Sequence, residues 1–169
     1  VTVGRLTKEK GADLVLDCCQ ILLEHGKQFM WHWVGDGNMR PEIEQKIAEM
    51  GLQACLCLEG SQPNPYPYIK QADLYVQPSY YEAYSTTVTE AKILAKPIIV
   101  TDVGGMRDQL SDTVNGMIVP ISAEKITDAV LRVMNAPELA ARFRAALEKE
   151  RFDAQKYLEA YSQTVLRGE

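Results

Sequence analysis

The chain has 169 residues, two histidines, four cysteines and no apolar run long enough to span a bilayer, and each shortage excludes something. A transmembrane helix needs about 20 consecutive apolar residues, whereas runs such as Ile98-Ile99-Val100 are short. No secretory leader is visible, with its charged start, apolar centre and small-residue cleavage site. Eighteen basic residues against 23 acidic ones leave a net charge of −5, with no basic stripe to track a phosphate backbone, so nucleic acid is not an expected partner. Adjacent Cys18-Cys19 and the Cys55-x-Cys57 pair match no common zinc spacing. They read as apolar thiols on a helix and a strand, which fits a reducing cytoplasm. His25 closes a helix before Gly26, and His32 alternates with Trp31 and Trp33 in a strand; neither shows a nucleophile or metal partner in the sequence. No G-x-S-x-G, H-E-x-x-H or phosphate-loop G-x-x-x-x-G-K sequence occurs.

What is present is a regular alternation of short apolar strands and longer amphipathic helices. Strands are predicted at Val1–Val3, Phe29–Val34, Ala54–Leu58, Leu74–Gln77, Pro97–Thr101 and Met117–Val119. Several are continuously apolar, which is the pattern of strands covered on both faces. Helices are predicted at Asp13–Glu24, from about Pro41 to Gly51, and over Thr86–Leu94, Gly105–Leu110 and Ala123–Met134. This order specifies an α/β domain, a Rossmann-like doubly wound parallel sheet of about six strands. Beyond Pro137 two charged, strand-free helices, Glu138–Glu150 and Asp153–Val165, are expected to follow the 1–136 core, making 1–169 a single domain. The chain opens on Val1, inside a strand, so it reads as a piece excised from something longer.

Ligands of doubly wound sheets bind at the carboxyl ends of the strands. Those ends here carry Gly4-Arg5, Gly35-Asp36-Gly37, Glu59-Gly60 followed by Ser61, Pro78-Ser79 and Asp102-Val103-Gly104-Gly105. Arg5 and Lys10 follow the first strand and are placed to converge on one anion; a solvated basic turn is the alternative. Gly35-x-Gly37 lacks the third glycine of a dinucleotide fingerprint and follows the second strand, so it reads as a turn beneath a ligand. The richest stretch is Glu82 to Ala91. Two carboxylates, Glu82 and Glu90, stand eight positions apart across a loop-to-helix junction, and Ser85, Thr86 and Thr87 between them offer hydroxyls and helix-N-terminal amides to a phosphate. That set suits a ligand that is both polyol and phosphate. Glu90 also completes a Thr87-x-x-Glu90 capping box, so the helix end alone could explain it.

In order along the chain, Val3-Gly4-Arg5-Leu6, Lys10-Gly11, Val34-Gly35-Asp36-Gly37, Ala72-Asp73-Leu74, Gln77-Pro78-Ser79, the Glu82/Glu90 pair, Lys96-Pro97, Gly104-Gly105 and Asn115-Gly116 resemble the C-terminal half of the family 4 (group 1) glycosyltransferases, retaining enzymes of the GT-B fold. The resemblance runs from Val3 to about Pro120. It implies that Arg5 and Lys10 hold the donor diphosphate and steady the departing nucleotide, and that Glu82 contacts the transferred sugar. It further implies that Glu90 binds the ribose hydroxyls, that the backbone from Ser85 to Thr87 supports the diphosphate, and that Gly60 and Ser61 lie beside the base. No metal or other cofactor is implied, since two cations and a helix N-terminus supply the positive charge. The implied partners are a UDP- or GDP-sugar and a glycan or lipid-linked acceptor, the latter held by an N-terminal half not included in this chain. Asn64-Pro65-Tyr66-Pro67-Tyr68 resembles members that build bacterial surface polysaccharides.

The implied setting is cytoplasmic, with any peripheral contact at the inner face of the membrane made by the missing half. The isolated chain is expected to bind donor without transferring sugar. A GT-B-fold nucleotide-sugar epimerase and a non-catalytic nucleotide-binding module are the alternatives. Ala83, Ser85 and Ala95 stand where the family usually has glycine, and Asp108 where it usually has glutamate, which leaves the donor sugar open.

Overall fold

The computed structural model describes residues 1–150. Six strands are present among them: β1 Thr2–Val3, β2 Trp31–Val34, β3 Leu56–Gly60, β4 Tyr75–Gln77, β5 Ile98–Thr101 and β6 Met117–Val119. Two parallel ladders form, β1-β2-β3 and β4-β5-β6. They meet where β1 runs beside β4: the Val76 N–H donates to the Val1 carbonyl at 2.9 Å, and the Thr2 hydroxyl donates to the Val76 carbonyl at 2.8 Å. The strands therefore lie in the order 3-2-1-4-5-6. The order reverses between β1 and β4, and that is where a doubly wound sheet opens its ligand crevice.

Helices cover both faces, as the continuously apolar strands require. On one face α1 (Ala12–Glu24), α2 (Arg40–Glu49) and α6 (Ala123–Asn135) bury Leu16, Leu22, Ile43 and Ile126 against Trp31 and Trp33. On the other, α3 (Tyr66–Gln71), α4 (Thr86–Ile93) and α5 (Met106–Gln109) bury Ile69, Val88 and Met106 against Tyr75, Ile98 and Val100. The four strand residues of β5 are fully buried, as befits a strand inside the sheet. Helix α7 spans 137–150 and places Phe143 and Leu147 in the two cores. The helix predicted over Asp153–Val165 lies outside the described residues.

Two elements were not predicted. Residues Lys8–Lys10 form one 3₁₀ turn ending on Gly11, which adopts a left-handed conformation (φ 76°). Helix α3 starts at a proline pair, Pro65 and Pro67, that tolerates only a first helical turn. With six residues it is too short to show a hydrophobic period.

Candidate functional site

Lys10, from the turn after β1, and Glu82, from the loop after β4, form an ion pair across the switch point. Their side chains are 19% and 10% exposed. Arg5 extends into solvent and makes no ion pair among the described residues. Lys10 is thus committed to a carboxylate, while Arg5 is uncommitted. A groove of ≈ 410 Å³ beside them is lined by Arg5, Thr7, Lys8, Glu9, Gly37, Asn38 and Met39.

The loop carrying Glu82 is held by close backbone packing. Gly104 and Gly105 pass beneath it, and the Gly105 N–H donates to the Glu82 carbonyl at 3.1 Å. A side chain at either glycine would strike the chain above: its Cβ would lie 2.1 Å from the Glu82 carbonyl oxygen or 1.8 Å from that of Ala83. Gly35 plays the same part on the other side of the switch, where a Cβ would meet the Gly4 carbonyl oxygen at 2.0 Å. Gly35 therefore packs one strand-end loop onto another, and Gly60 (φ 70°) ends β3 in a turn that favours glycine.

Ser85 caps α4: its hydroxyl accepts from the Val88 N–H at 3.3 Å. Gln109 grips the same residue twice, accepting from the Ser85 N–H and donating to the Ser85 carbonyl, both at 2.8 Å. Sequence reasoning did not find Gln109, because nothing in the sequence brings α5 to this loop. Beneath the cap, the Tyr75 hydroxyl donates to Gln77 Oε1 at 2.7 Å, and Gln77 Nε2 donates to the Ser79 hydroxyl at 2.9 Å. Thr87 Oγ1 also donates to Gln77 Oε1, at 3.3 Å. Burial pushes the Tyr75 phenol well above its usual pKa, so it stays a donor. This satisfied polar layer fixes the helix end. The backbone N–H groups of Thr86 and Thr87 have no acceptor among the described residues.

The capping-box reading of Glu90 fails. The N-cap is Ser85 rather than Thr87, so Glu90 is the fifth helical residue, beyond the reach of the cap. Its Oε1 accepts only a long hydrogen bond, 3.4 Å, from the Tyr66 hydroxyl, and its Oε2 is buried with no partner. A carboxylate oxygen in that position lacks a donor and is expensive to leave so.

Glu59, at the end of β3, is braced by two side chains: His32 Nδ1 lies 2.6 Å from Oε1, and the Tyr68 hydroxyl donates to Oε2 at 3.2 Å. The His32 hydrogen bond, foremost, holds the Glu59 carboxyl below its ordinary pKa. Gln62 Nε2 donates to the Glu59 carbonyl at 2.8 Å, tying down the exposed Ser61 between them. A separate groove of ≈ 480 Å³, lined by Val1, Phe29, Met30 and Leu74 among others, lies at the amino ends of the strands, away from the switch-point crevice.

A 3-2-1-4-5-6 parallel sheet covered by helices on both faces, with its crevice at the switch point, belongs to the Rossmann-like class of α/β folds. The pattern of the family described as "Glycosyl transferases group 1" matches residues 1–150, and the chain belongs to that family. An alpha-D-kanosaminyltransferase of Streptomyces kanamyceticus is 30% identical over 83% of this chain and 37% of its own length. A putative teichuronic acid biosynthesis glycosyltransferase, TuaC, of Bacillus subtilis (strain 168) is 32% identical over 95% of this chain and 40% of its own. The chain thus spans about two fifths of the curated relatives it matches. Among solved structures, Anabaena HepE in complex with UDP superposes with a TM-score of 0.81, 20% identity, and 98% of this chain on 48% of that one. That likeness supports the fold. No described helix is long and apolar enough to cross a membrane.

Proposed function

We propose that this chain, as one domain, is the donor-binding half of a retaining glycosyltransferase, taking a UDP- or GDP-sugar. The observation that carries the reading is the buried, unpartnered Oε2 of Glu90, three to four residues along α4 from the unsatisfied amides of Thr86 and Thr87. Rotation of the Glu90 side chain out of that unsatisfied position would bring its carboxylate onto ribose hydroxyls, in charge-assisted bonds of roughly 1.5–3 kcal/mol each. The helix N-terminus would take a phosphate. Arg5 and Lys10 would meet the rest of the diphosphate, and Glu82, held by Lys10, would face the sugar. Gly60 and Ser61 would flank the base, on a loop steadied by Gln62.

In the reaction the bond from the anomeric carbon to the β-phosphate oxygen breaks, and a bond to an acceptor hydroxyl oxygen forms. The hydroxyl proton goes to the departing nucleoside diphosphate, whose negative charge Arg5, Lys10 and the helix end stabilise. The acceptor, a glycan or lipid-linked sugar, would be bound by the other half of the full-length protein, so the isolated chain would bind donor without turnover. The teichuronic acid relative supports a place in bacterial surface polysaccharide synthesis. The enzyme would work in the cytoplasm, with any contact to the inner face of the membrane made through the other half.

Calorimetric titration with UDP, GDP and ADP in EDTA tests this. Saturable binding of one of them, weakened at least about tenfold by Glu90→Ala and by Arg5→Ala, is the expected result. Equal binding by wild type and both variants would refute the assigned site.

A further inference from the structure

Sequence alone offered neither histidine a partner, and the parallel register of β2 and β3 supplies one. His32 and Cys57 are direct partners across that ladder. Glu59 stands two residues further along β3, at a bulge where the register with β2 slips by one residue. One ligand atom from each of the three lies within 4.8 Å of the other two. Tetrahedral zinc bonds of 2.0–2.3 Å separate neighbouring ligand atoms by roughly 3.3–3.8 Å, so small side-chain rotations close the set. All three residues are partly exposed, which gives an ion access, while the other three thiols, Cys18, Cys19 and Cys55, are buried.

We propose that His32 Nδ1, Cys57 Sγ and a Glu59 carboxylate oxygen form a binding site for a single divalent transition-metal ion, zinc foremost, on the β2–β3 edge of the sheet. One imidazole, one thiolate and one carboxylate make a borderline-soft donor set, which suits Zn²⁺ and discriminates against Mg²⁺ and Ca²⁺. Water fills the fourth position. The Tyr68 hydroxyl, already on Glu59 Oε2, orients the carboxylate from outside the coordination sphere. Binding displaces the Cys57 proton to solvent and replaces the His32–Glu59 hydrogen bond with two metal bonds. Burial, and then the Glu59 carboxylate beside it, raise the Cys57 thiol above its ordinary pKa, and a cation between the two groups relieves that conflict.

The site is distinct from the one proposed for the donor, and its test does not depend on nucleotide binding. It tethers β3, an edge strand, to its neighbour immediately before Gly60 and Ser61, so occupancy would stiffen the turn after β3.

The 169-residue chain, free of any histidine tag and kept reduced, is titrated with Co²⁺ and then with competing Zn²⁺. The expected result is one equivalent bound with a thiolate-to-cobalt charge-transfer band. Cys57→Ser should abolish the band, and His32→Gln should weaken binding at least about tenfold, while Cys55→Ser leaves both unchanged. Zn²⁺ should also protect Cys57 from alkylation in the unsubstituted chain, a readout that survives if a variant fails to fold. Cobalt binding without a thiolate band, or alkylation of Cys57 at the same rate with and without Zn²⁺, would overturn the proposal and leave His32–Glu59 as a hydrogen-bonded pair only.

Discussion

Lys10 and Glu82 stand seventy-two positions apart in the chain and form an ion pair at the boundary between the two halves of the sheet. Removing one partner strands the other in a mostly buried position. Lys10→Met should therefore destabilise the fold by about 2 kcal/mol, below the roughly 3–5 kcal/mol of fully buried pairs because both groups retain some solvent contact. Glu82→Gln, which leaves a neutral hydrogen-bonding group, should cost about half as much. Urea unfolding of the two variants checks the order. The proposed donor site predicts that Glu82→Gln frees Lys10 for a diphosphate and tightens nucleotide binding, whereas Lys10→Met weakens it. Calorimetry separates those two directions.

Ala95 adopts a left-handed conformation, φ 50°, just after α4. The Lys96 N–H donates to the Ala91 carbonyl at 3.0 Å and the Ala95 N–H to that of Lys92 at 2.9 Å, the two bonds of a Schellman motif whose left-handed residue is usually glycine. The strain of a Cβ there is about 1–2 kcal/mol, and the half-buried methyl returns part of it. Ala95→Gly should stabilise the chain by about 0.5–1 kcal/mol, seen as a higher urea midpoint with an unchanged slope.

Gly105 and Gly26 give opposite tests of space against conformation. Gly26 has φ 66° but open surroundings, so Gly26→Ala should cost only the local strain, about 1 kcal/mol. Gly105→Ala would drive a methyl into the Ala83 carbonyl and should cost about 3 kcal/mol while displacing the loop of Glu82. Parallel thermal melts of the two variants measure the gap.

Burial pushes the Cys18 thiol up to about 12. The unfolded chain therefore releases this proton first. The contribution to stability is full below the ordinary thiol pKa of about 8.5 and falls as pH rises from there towards 12. The limiting slope is about 1.4 kcal/mol per pH unit for this one thiol. Unfolding free energies between pH 8.5 and 10.5 should fall less steeply for Cys18→Ala than for the wild type by up to that amount.

The strands were legible because they are short, mostly apolar runs flanked by glycine or polar residues. The predicted β6 matches Met117–Val119; β1, β2, β4 and β5 begin one or two residues later than predicted, and β3 is shifted by two residues at both ends, to Leu56–Gly60. The stretch around Glu82 and Glu90 could be singled out because local chemistry, a polar turn before an apolar helix, is written in consecutive residues. What was hidden depends on register or on tertiary approach. Gln109 reaches Ser85 from another helix, Cys57 and Glu59 meet His32 only once β2 and β3 are aligned, and α3 is shorter than the period that would reveal it. The helix predicted from Thr86 starts there, with Ser85 as its cap, and the alternative Thr87 capping box does not form.

The reversal of strand order between β1 and β4 also has a consequence for how the molecule is made. Every residue of the crevice that comes from the turn after β1 must wait for partners that follow β4, since Lys10 meets Glu82 and Gly11 packs on the Pro78 carbonyl. On a ribosome, a chain emerging only as far as β3 has half a sheet and no crevice. The Lys10–Glu82 contact closes a long loop, a slow step for a searching polymer. Its appearance in time-resolved refolding would mark the moment at which the two halves have become one sheet.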